Sequence, residues 1–176
     1  ASRAIPVVDG EMPMILSCPG SATVSCFDSI DPADLGQPAV SDNCDTNPTV
    51  TYQDDAMPSF CNGNTITRTW TVTDNCSNSN TCIQTITVLP DTEAPMLQGL
   101  PDDLQLTLEC SQPIPPAPTV TATDNCDPQV TVNFSQNTTP GDCAQEYTIT
   151  RTWSTADACG NPASATQTIQ VVDTQA

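Results

Sequence analysis

The sequence contains no histidine, and its only basic residues are three arginines among 176 residues, so lysine is absent as well. The absence of histidine excludes a Ser-His-Asp or Cys-His catalytic group, zinc binding through imidazole, and imidazole acid-base chemistry at neutral pH. The absence of lysine excludes a Schiff base, a P-loop lysine and a Lys–Asn isopeptide cross-link. We therefore expect a scaffold or binding protein and not an enzyme.

Positive charge and aromatic residues are scarce. The formal net charge is -18, from 21 acidic residues, and aromatic residues make up only 4% of the chain. Such an acidic chain is a poor partner for nucleic acid or an anionic membrane surface. No apolar run reaches the roughly 18 residues that a transmembrane helix needs. We expect no nucleic-acid partner, no membrane insertion and a thin hydrophobic core.

Cysteine and threonine, by contrast, are abundant. Ten cysteines without a C-x-x-C pair or a histidine indicate a disulfide framework, and therefore a secreted, extracellular protein. Short alternations of threonine with valine or isoleucine are separated by clusters of proline, asparagine and aspartate. This pattern is typical of an all-β sandwich.

The chain consists of two copies of one unit, with a period of about 82 residues that is the separation of Asp9 from Asp91. The string TITRTW occurs at 65–70 and again at 148–153. A repeat of this length corresponds to one sandwich domain. We predict two tandem immunoglobulin-like β-sandwich domains at 10–90 and 91–173, breaking near 89–93, with 174–176 beginning a further linker.

The first residues resemble the end of a repeat, because Ile5–Asp9 matches Ile169–Asp173. Two interpretations of residues 1–9 remain open. The chain is either a two-domain part of a longer tandem array, or a subunit that donates its N-terminal strand to a neighbouring copy, head to tail.

Residues 65–73 alternate strictly, with isoleucine, arginine, tryptophan and valine on one face and threonine on the other. Period-2 alternation places the first set towards the core. An arginine beside a core tryptophan stacks on the indole and pairs with a buried carboxylate or with carbonyl groups. We therefore assign structural roles to Arg68, Trp70, Arg151 and Trp153. Further strands are expected at 48–53, 81–88, 129–134 and 164–172, with the proline-rich 112–118 as an edge strand or extended loop.

Cys18 and Cys82 occur only in the first copy, where the second has other residues. The loss of both together predicts the disulfide Cys18–Cys82.

Strand length limits the pairing of the other cysteines. Cys61 and Cys76 flank a strand of about 30 Å, whereas the Cα atoms of a disulfide lie about 6 Å apart. This favours four bonds, which are Cys44–Cys76, Cys26–Cys61, Cys126–Cys159 and Cys110–Cys143. The sequential alternative, Cys26–Cys44 with Cys61–Cys76, remains open.

Acidic residues recur with the repeat in the linkers and loops. The first set is Asp9, Glu11, Asp42 and Asp74, and the second set is Asp91, Glu93, Asp124 and Asp157. Calcium takes 6–8 oxygen ligands, so carboxylates gathered at one end of a domain suit it. The sequence therefore indicates calcium as a cofactor, and the alternative is that these residues only form turns.

Several motifs together resemble HYR (hyaline repeat) domains: the D-x-E-x-P linker, the C-P pair at Cys18, A-T-D-N-C, T-R-T-W and the closing T-D-x-C-x-N. The sequence is most similar to the HYR-like, immunoglobulin-like tandem repeats of Bacteroidetes secreted surface proteins and gliding adhesins. The resemblance implies an extracellular β-sandwich array that mediates adhesion or builds stalks. The second copy departs from the pattern because it lacks the C-P cysteine and its partner.

We therefore expect a structural segment of an extracellular adhesin, stalk or surface fibre, whose partners are neighbouring repeats or copies of itself. The alternatives are a filament subunit that donates its N-terminal strand, and a module that binds a surface glycan or a protein. For such a module, candidate exposed aromatic residues are limited to Tyr52, Phe60, Phe134 and Tyr147.

Overall fold

A computed structural model describes residues 8–142 and 145–174. The chain divides into two compact units, Ala1–Asp91 and Thr92–Ala176, so the boundary lies within the window 89–93. The donated-strand hypothesis rests mainly on residues 1–7, which lie outside the described residues. Among the described residues, no helix has the length and apolar character needed to span a membrane.

Unit 1 is built from a four-stranded and a two-stranded sheet. Its elements are β1 (Met14–Ser17), β2 (Ala22–Val24), α1 (Pro32–Leu35), β3 (Ala39–Ser41), β4 (Thr49–Asp54), β5 (Asn64–Thr73) and β6 (Ser79–Val88). The larger sheet has the order β2-β6-β5-β4, and β1 pairs with β3 in the smaller one. The β2–β6 pair is parallel, whereas the other pairs are antiparallel.

Unit 2 repeats this plan. Its elements are β7 (Met96–Gln98), β8 (Gln105–Glu109), β9 (Thr121–Thr123), β10 (Asn133–Pro140), β11 (Tyr147–Ala156) and β12 (Pro162–Val172). The larger sheet has the order β10-β11-β12-β8, in which β12 and β8 are parallel, and β7 pairs with β9. The predicted fold class, two tandem immunoglobulin-like β-sandwich domains, is confirmed.

The core follows the alternation along β5. Ile66, Arg68, Trp70 and Val72 are each no more than 2% exposed, while the threonines between them face outwards. Val24, Ile86 and Val88 complete an aliphatic cluster around Ile66. Because threonine and isoleucine both favour a pleated strand, local preference and burial select the same conformation.

One short helix was not expected from the sequence. Asp31 caps α1 by accepting a hydrogen bond from the backbone N–H of Ala33, Pro32 is its first residue, and Gly36 ends it at φ 91°. Four residues are too few to show a helical period, so only these capping residues signal it.

One strand prediction needs correction, and one open alternative is decided. The strand expected at 129–134 lies at Asn133–Pro140, because Asp124 and Asp127 hold residues 124–129 in a turn by accepting hydrogen bonds from backbone N–H groups. It also lies at an edge of its sheet, as β4 does in unit 1. The proline-rich segment 112–118 forms a loop and no strand, as expected where successive prolines lack donors.

Candidate cation-binding site

Three acidic side chains of unit 1 converge at one end of the unit. Carboxylate oxygens of Asp9, Asp42 and Asp74 all lie within 4.8 Å of one another. Asp9 precedes the first strand, Asp42 follows β3, and Asp74 follows β5. The repeat predicted this set, and three of its four members come together.

Asp74 is the buried member and organises its own loop. Its Oδ1 atom accepts hydrogen bonds from the backbone N–H groups of Cys76 and Asn78, both at 2.8 Å, and its Oδ2 atom accepts one from Asn78 Nδ2 at 2.7 Å. Burial opposes ionisation of Asp74, but these hydrogen bonds outweigh it and hold its pKa below the ordinary value. Asp74 is therefore a fixed, negatively charged side chain.

Asp42 has one oxygen free for a ligand. Its Oδ2 atom accepts hydrogen bonds from the backbone N–H groups of Cys44, at 2.9 Å, and Asp45, at 2.8 Å. Its Oδ1 atom is buried and has no hydrogen-bond partner among the described residues. Burying a carboxylate oxygen without a partner is costly, and a bound cation would remove that cost.

Asp9 joins the entering segment to these loops. Its Oδ1 atom accepts a hydrogen bond from the backbone N–H of Glu11 at 3.1 Å, and its backbone carbonyl accepts one from Asn78 Nδ2 at 3.3 Å. The carboxylate of Glu11 is not part of the cluster, and this residue is exposed. A role for Glu11 as a ligand therefore stays a prediction that the cluster does not support.

In unit 2 the loop acids Asp124 and Asp157 form hydrogen bonds like those of Asp42 and Asp74. Asp124 Oδ1 accepts from the backbone N–H groups of Cys126 and Asp127, and its Oδ2 atom is buried without a hydrogen-bond partner in the described part of the chain. At Asp157, burial is again outweighed by hydrogen bonds from Asn161, and the pKa is lowered. Asp91 is the last residue of unit 1 and Glu93 lies in unit 2. A cation held by this second set stays a prediction.

Four cysteines that occur in both copies of the repeat pattern are disulfide-bonded, two in each unit. Cys126 and Cys159 of unit 2 are both disulfide-bonded, and so are Cys26 and Cys61 of unit 1. This state is required by the predicted pairs Cys126–Cys159 and Cys26–Cys61.

The predicted Cys18–Cys82 bond is present, with its Cα atoms 6.2 Å apart. It joins the residue after β1 to β6.

Two disulfide predictions are contradicted, because Cys44, Cys76 and Cys110 are free, exposed thiols. Cys44 and Cys76 lie close enough to interact electrostatically, but both are free thiols, so the predicted Cys44–Cys76 bond is absent. The same free thiols exclude the sequential pairing Cys26–Cys44 and Cys61–Cys76. Cys110 is free, in contradiction of Cys110–Cys143, and Cys143 itself lies outside the described residues.

The acid cluster should slow the reaction of the Cys44 thiol with alkylating agents. Loss of hydration around its sulfur raises the pKa of Cys44, and the negative charges of Asp9 and Asp42 raise it further. The thiolate is the reactive form, so Cys44 should need a higher pH than an ordinary thiol before iodoacetamide alkylates it rapidly. Peptide mass spectrometry after timed labelling between about pH 7 and pH 10 measures this.

The variant Asp9→Asn should react faster at a given pH, since it removes one of these negative charges. If folded Cys44 reacted as fast as the same thiol in urea-unfolded protein, the predicted rise in its pKa from the nearby carboxylates would be wrong.

Arg68 is buried and paired with a carboxylate, as the predicted structural role requires. Its Nε and Nη2 atoms donate to the two carboxylate oxygens of Asp54 at 2.8 and 2.9 Å. The guanidinium carbon lies 4.4 Å from the ring centroid of Tyr52 and 5.8 Å from that of Trp70. The Asp54 partner holds the pKa of Arg68 above its ordinary value.

Among the described residues, Arg151 has only uncharged hydrogen-bond partners. It donates to Gln136 Oε1 at 2.9 Å, to Gln167 Oε1 at 3.2 Å and to the Pro115 carbonyl at 2.7 Å. The two arginines thus use different partners for the same position on the core face, which the identical TITRTW strings do not reveal.

A family model described as "HYR-like domain with 4 cysteines" matches residues 14–88 and 99–171. The chain belongs to this HYR-like family. Both HYR-like segments lie inside the two structural units, and no curated protein matches the chain.

Three solved structures illustrate the matches found among known structures. The chain is similar to human mucin-like protocadherin EC1-2 (8% identity, TM-score 0.33, covering 92% of this chain and 98% of that one). It is also similar to the Bacteroides ovatus mixed-linkage glucan protein SGBP-B (15% identity, TM-score 0.34, covering 93% and 48%). A third structure, Titin-A168169, has 9% identity and a TM-score of 0.31, with 93% and 100% covered.

Proposed function

We propose that the chain is a structural segment of an extracellular adhesin, stalk or surface fibre, and that it performs no catalysis. The observation that carries this proposal is the convergence of Asp9, from the segment entering unit 1, with Asp42 and Asp74 from two loops of that unit. A divalent cation bound there fixes the entering segment to the body of the unit. Adjacent repeats, or copies arranged head to tail, are the partners in this proposal.

Calcium is the cation that this site fits best. All three side chains offer hard carboxylate oxygens, and calcium accepts an irregular shell that water molecules complete. Asp42 Oδ1 supplies a buried oxygen without another partner. Three carboxylates so close together repel one another in a chain of net charge -18, and a divalent ion would relieve this repulsion.

The disulfides support an extracellular location, since such bonds persist in oxidising compartments. They also cross-link a thin core, and a module with few aromatic residues that transmits tension needs such cross-links.

The glycan-binding alternative is less favoured. Among the described residues, Phe27 is the most exposed aromatic side chain, at 68%, and it was not among the candidates expected from the sequence. Tyr52 and Phe134 are half-exposed, at 48% and 49%. Each of them packs against a core tryptophan, with ring centroids 5.4 and 5.5 Å apart, and no aromatic platform forms among the described residues. Subunit assembly by donation of the N-terminal strand remains an alternative whose test is the state of residues 1–9 in solution.

Calcium should raise the melting temperature of unit 1. At a free calcium concentration about 100 times the Kd, binding to the folded state alone adds about 2.7 kcal/mol to the free energy of unfolding. Differential scanning calorimetry with calcium, with a chelator, and with sodium chloride at equal ionic strength measures the shift. Isothermal titration calorimetry gives the affinity independently.

Asp42→Asn should abolish the response, because it replaces the oxygen that has no other partner. Glu11→Gln is the matched control, since it removes a nearby exposed carboxylate from outside the cluster and should leave the response unchanged. Equal melting temperatures in calcium and in chelator would remove the cation from the proposed function.

A further inference from the structure

Strand β10 is an unprotected sheet edge. It is the outermost strand of the four-stranded sheet of unit 2, and all eight of its residues, Asn133–Pro140, are exposed. None of them is charged, and its proline is the last residue. Edge strands normally avoid pairing with other chains by carrying charges, internal prolines or bulges, or by being short. β10 has none of these defences over the first seven residues.

The other edges of the large sheets are protected. In unit 1, β4 has six residues and ends in Asp54, and the following Asp55 accepts a hydrogen bond from the backbone N–H of Thr67. β2 has three residues, and β8 has five and ends in Glu109. Only β10 therefore combines length, exposure and neutrality among the described edge strands.

We infer that β10 pairs with β10 of a second copy of this chain, antiparallel across a two-fold axis. Self-pairing sets one neutral strand against another, whereas the β4 and β8 edges would bring carboxylates of two chains together. The two four-stranded sheets would become one continuous sheet. This inference does not depend on calcium, and it concerns lateral association, whereas the proposed function concerns the chain axis.

The faces of β10 and the position of its proline together favour one register for this pairing. Phe134 lies opposite the buried Trp153 and Gln136 contacts the buried Arg151, so the even-numbered residues face inwards. The odd-numbered residues, which have hydroxyl or amide side chains, face outwards. Because opposite residues of an antiparallel pair share a face, the axis near Gln136 places Ser135 opposite Asn137 of the other copy. This register overlaps residues 133–139 and leaves out Pro140, which has no N–H to donate.

The dimer should be weak and should strengthen with salt. One added strand pair buries little surface, which places it among transient interfaces. Each copy carries a net charge of -18, so screening reduces the repulsion between copies. A basic protein partner on the same edge would show the opposite salt dependence. In an array of many repeats, weak pairs of this kind act together through their high local concentration.

Sedimentation equilibrium tests the inference on the full chain, after alkylation of the free thiols to prevent intermolecular disulfides. The weight-average mass should rise from 18.5 kDa towards twice that value as the protein concentration increases, and more steeply in high salt. Hydrogen exchange should show slower exchange of β10 amides at high protein concentration. A chain that stays at 18.5 kDa at all concentrations, or whose association weakens in salt, would overturn it.

Asn137→Asp places like charges near the axis on the outward face and should reduce the association constant at least tenfold. Thr51→Asp is the matched control, because it puts the same charge on the outward face of edge strand β4. Circular dichroism and thermal melts verify that both variants fold. If Asn137→Asp and Thr51→Asp had equal association constants, the contact between copies would lie outside β10. If the exchange rates of the wild-type β10 amides did not change with protein concentration, β10 would also be excluded, and this result needs no folded variant.

Discussion

Replacing Asp54 by alanine should lower the free energy of unfolding of unit 1 by about 3–5 kcal/mol. Arg68 is 1% exposed, and Asp54 supplies its only charged partner at 2.8 Å in the described part of the chain. The Nη1 atom of Arg68 is already buried without a hydrogen-bond partner there. Removing the carboxylate leaves a buried guanidinium that is compensated only by contact with the Tyr52 and Trp70 rings.

Urea unfolding monitored by tryptophan fluorescence and circular dichroism measures this loss, with unit 2 as an internal reference. Asp55→Ala is the matched control, since Asp55 is an exposed neighbour whose carboxylate accepts a single backbone hydrogen bond from Thr67. Equal destabilisation by both substitutions would show that the buried ion pair is not what stabilises Arg68.

The double substitution Cys18→Ser with Cys82→Ser should destabilise unit 1 by about 4 kcal/mol and leave unit 2 unchanged. The bond closes a loop with a sequence separation of 64, and opening it restores the conformational entropy of the unfolded chain. It also releases the end of β1 from β6. Differential scanning calorimetry under non-reducing conditions should show a lower transition for unit 1.

Cys110→Ser controls for removal of sulfur, because Cys110 is a free, exposed thiol. Its transitions should coincide with those of the wild type. A double variant that unfolded at the wild-type midpoint would mean that the unfolded state of unit 1 is already compact around residues 18 and 82.

The features that depend on strict alternation could be predicted from the sequence. The period-2 pattern of Ile66, Arg68 and Trp70 fixes which face is buried, and the 82-residue repeat transfers that result to Ile149, Arg151 and Trp153. The acid cluster was predictable for a related reason, because loops that recur at the same point of a repeated sandwich meet at the same end.

Other features depend on details that a pattern does not contain. Asp9, Asp42 and Asp74 converge, and each accepts a hydrogen bond from a nearby backbone N–H, whereas Glu11 is exposed and outside the cluster. The repeat also predicted the Cys44–Cys76 bond, but both thiols are free, and the alignment of the two copies does not distinguish them from the bonded Cys126 and Cys159. β10 starts later than predicted because Asp124 and Asp127 form a turn before it. Residue propensities predict a loop there but not its length.

The parallel pairs have a mechanical consequence. In unit 1, β2 near the beginning and β6 at the end run parallel over three residue pairs, and in unit 2, β8 and β12 do so over five. A force that pulls the two ends of a unit apart slides such strands along each other, so their hydrogen bonds are loaded in shear and resist together. In unit 1 the Cys18–Cys82 bond closes the loop that contains β2, so tension passes through this covalent bond before it loads the three β2–β6 pairs. Unit 2 lacks this bond and has the longer parallel pairing. The two repeats thus resist tension by different means, one by a covalent stop and the other by additional hydrogen bonds.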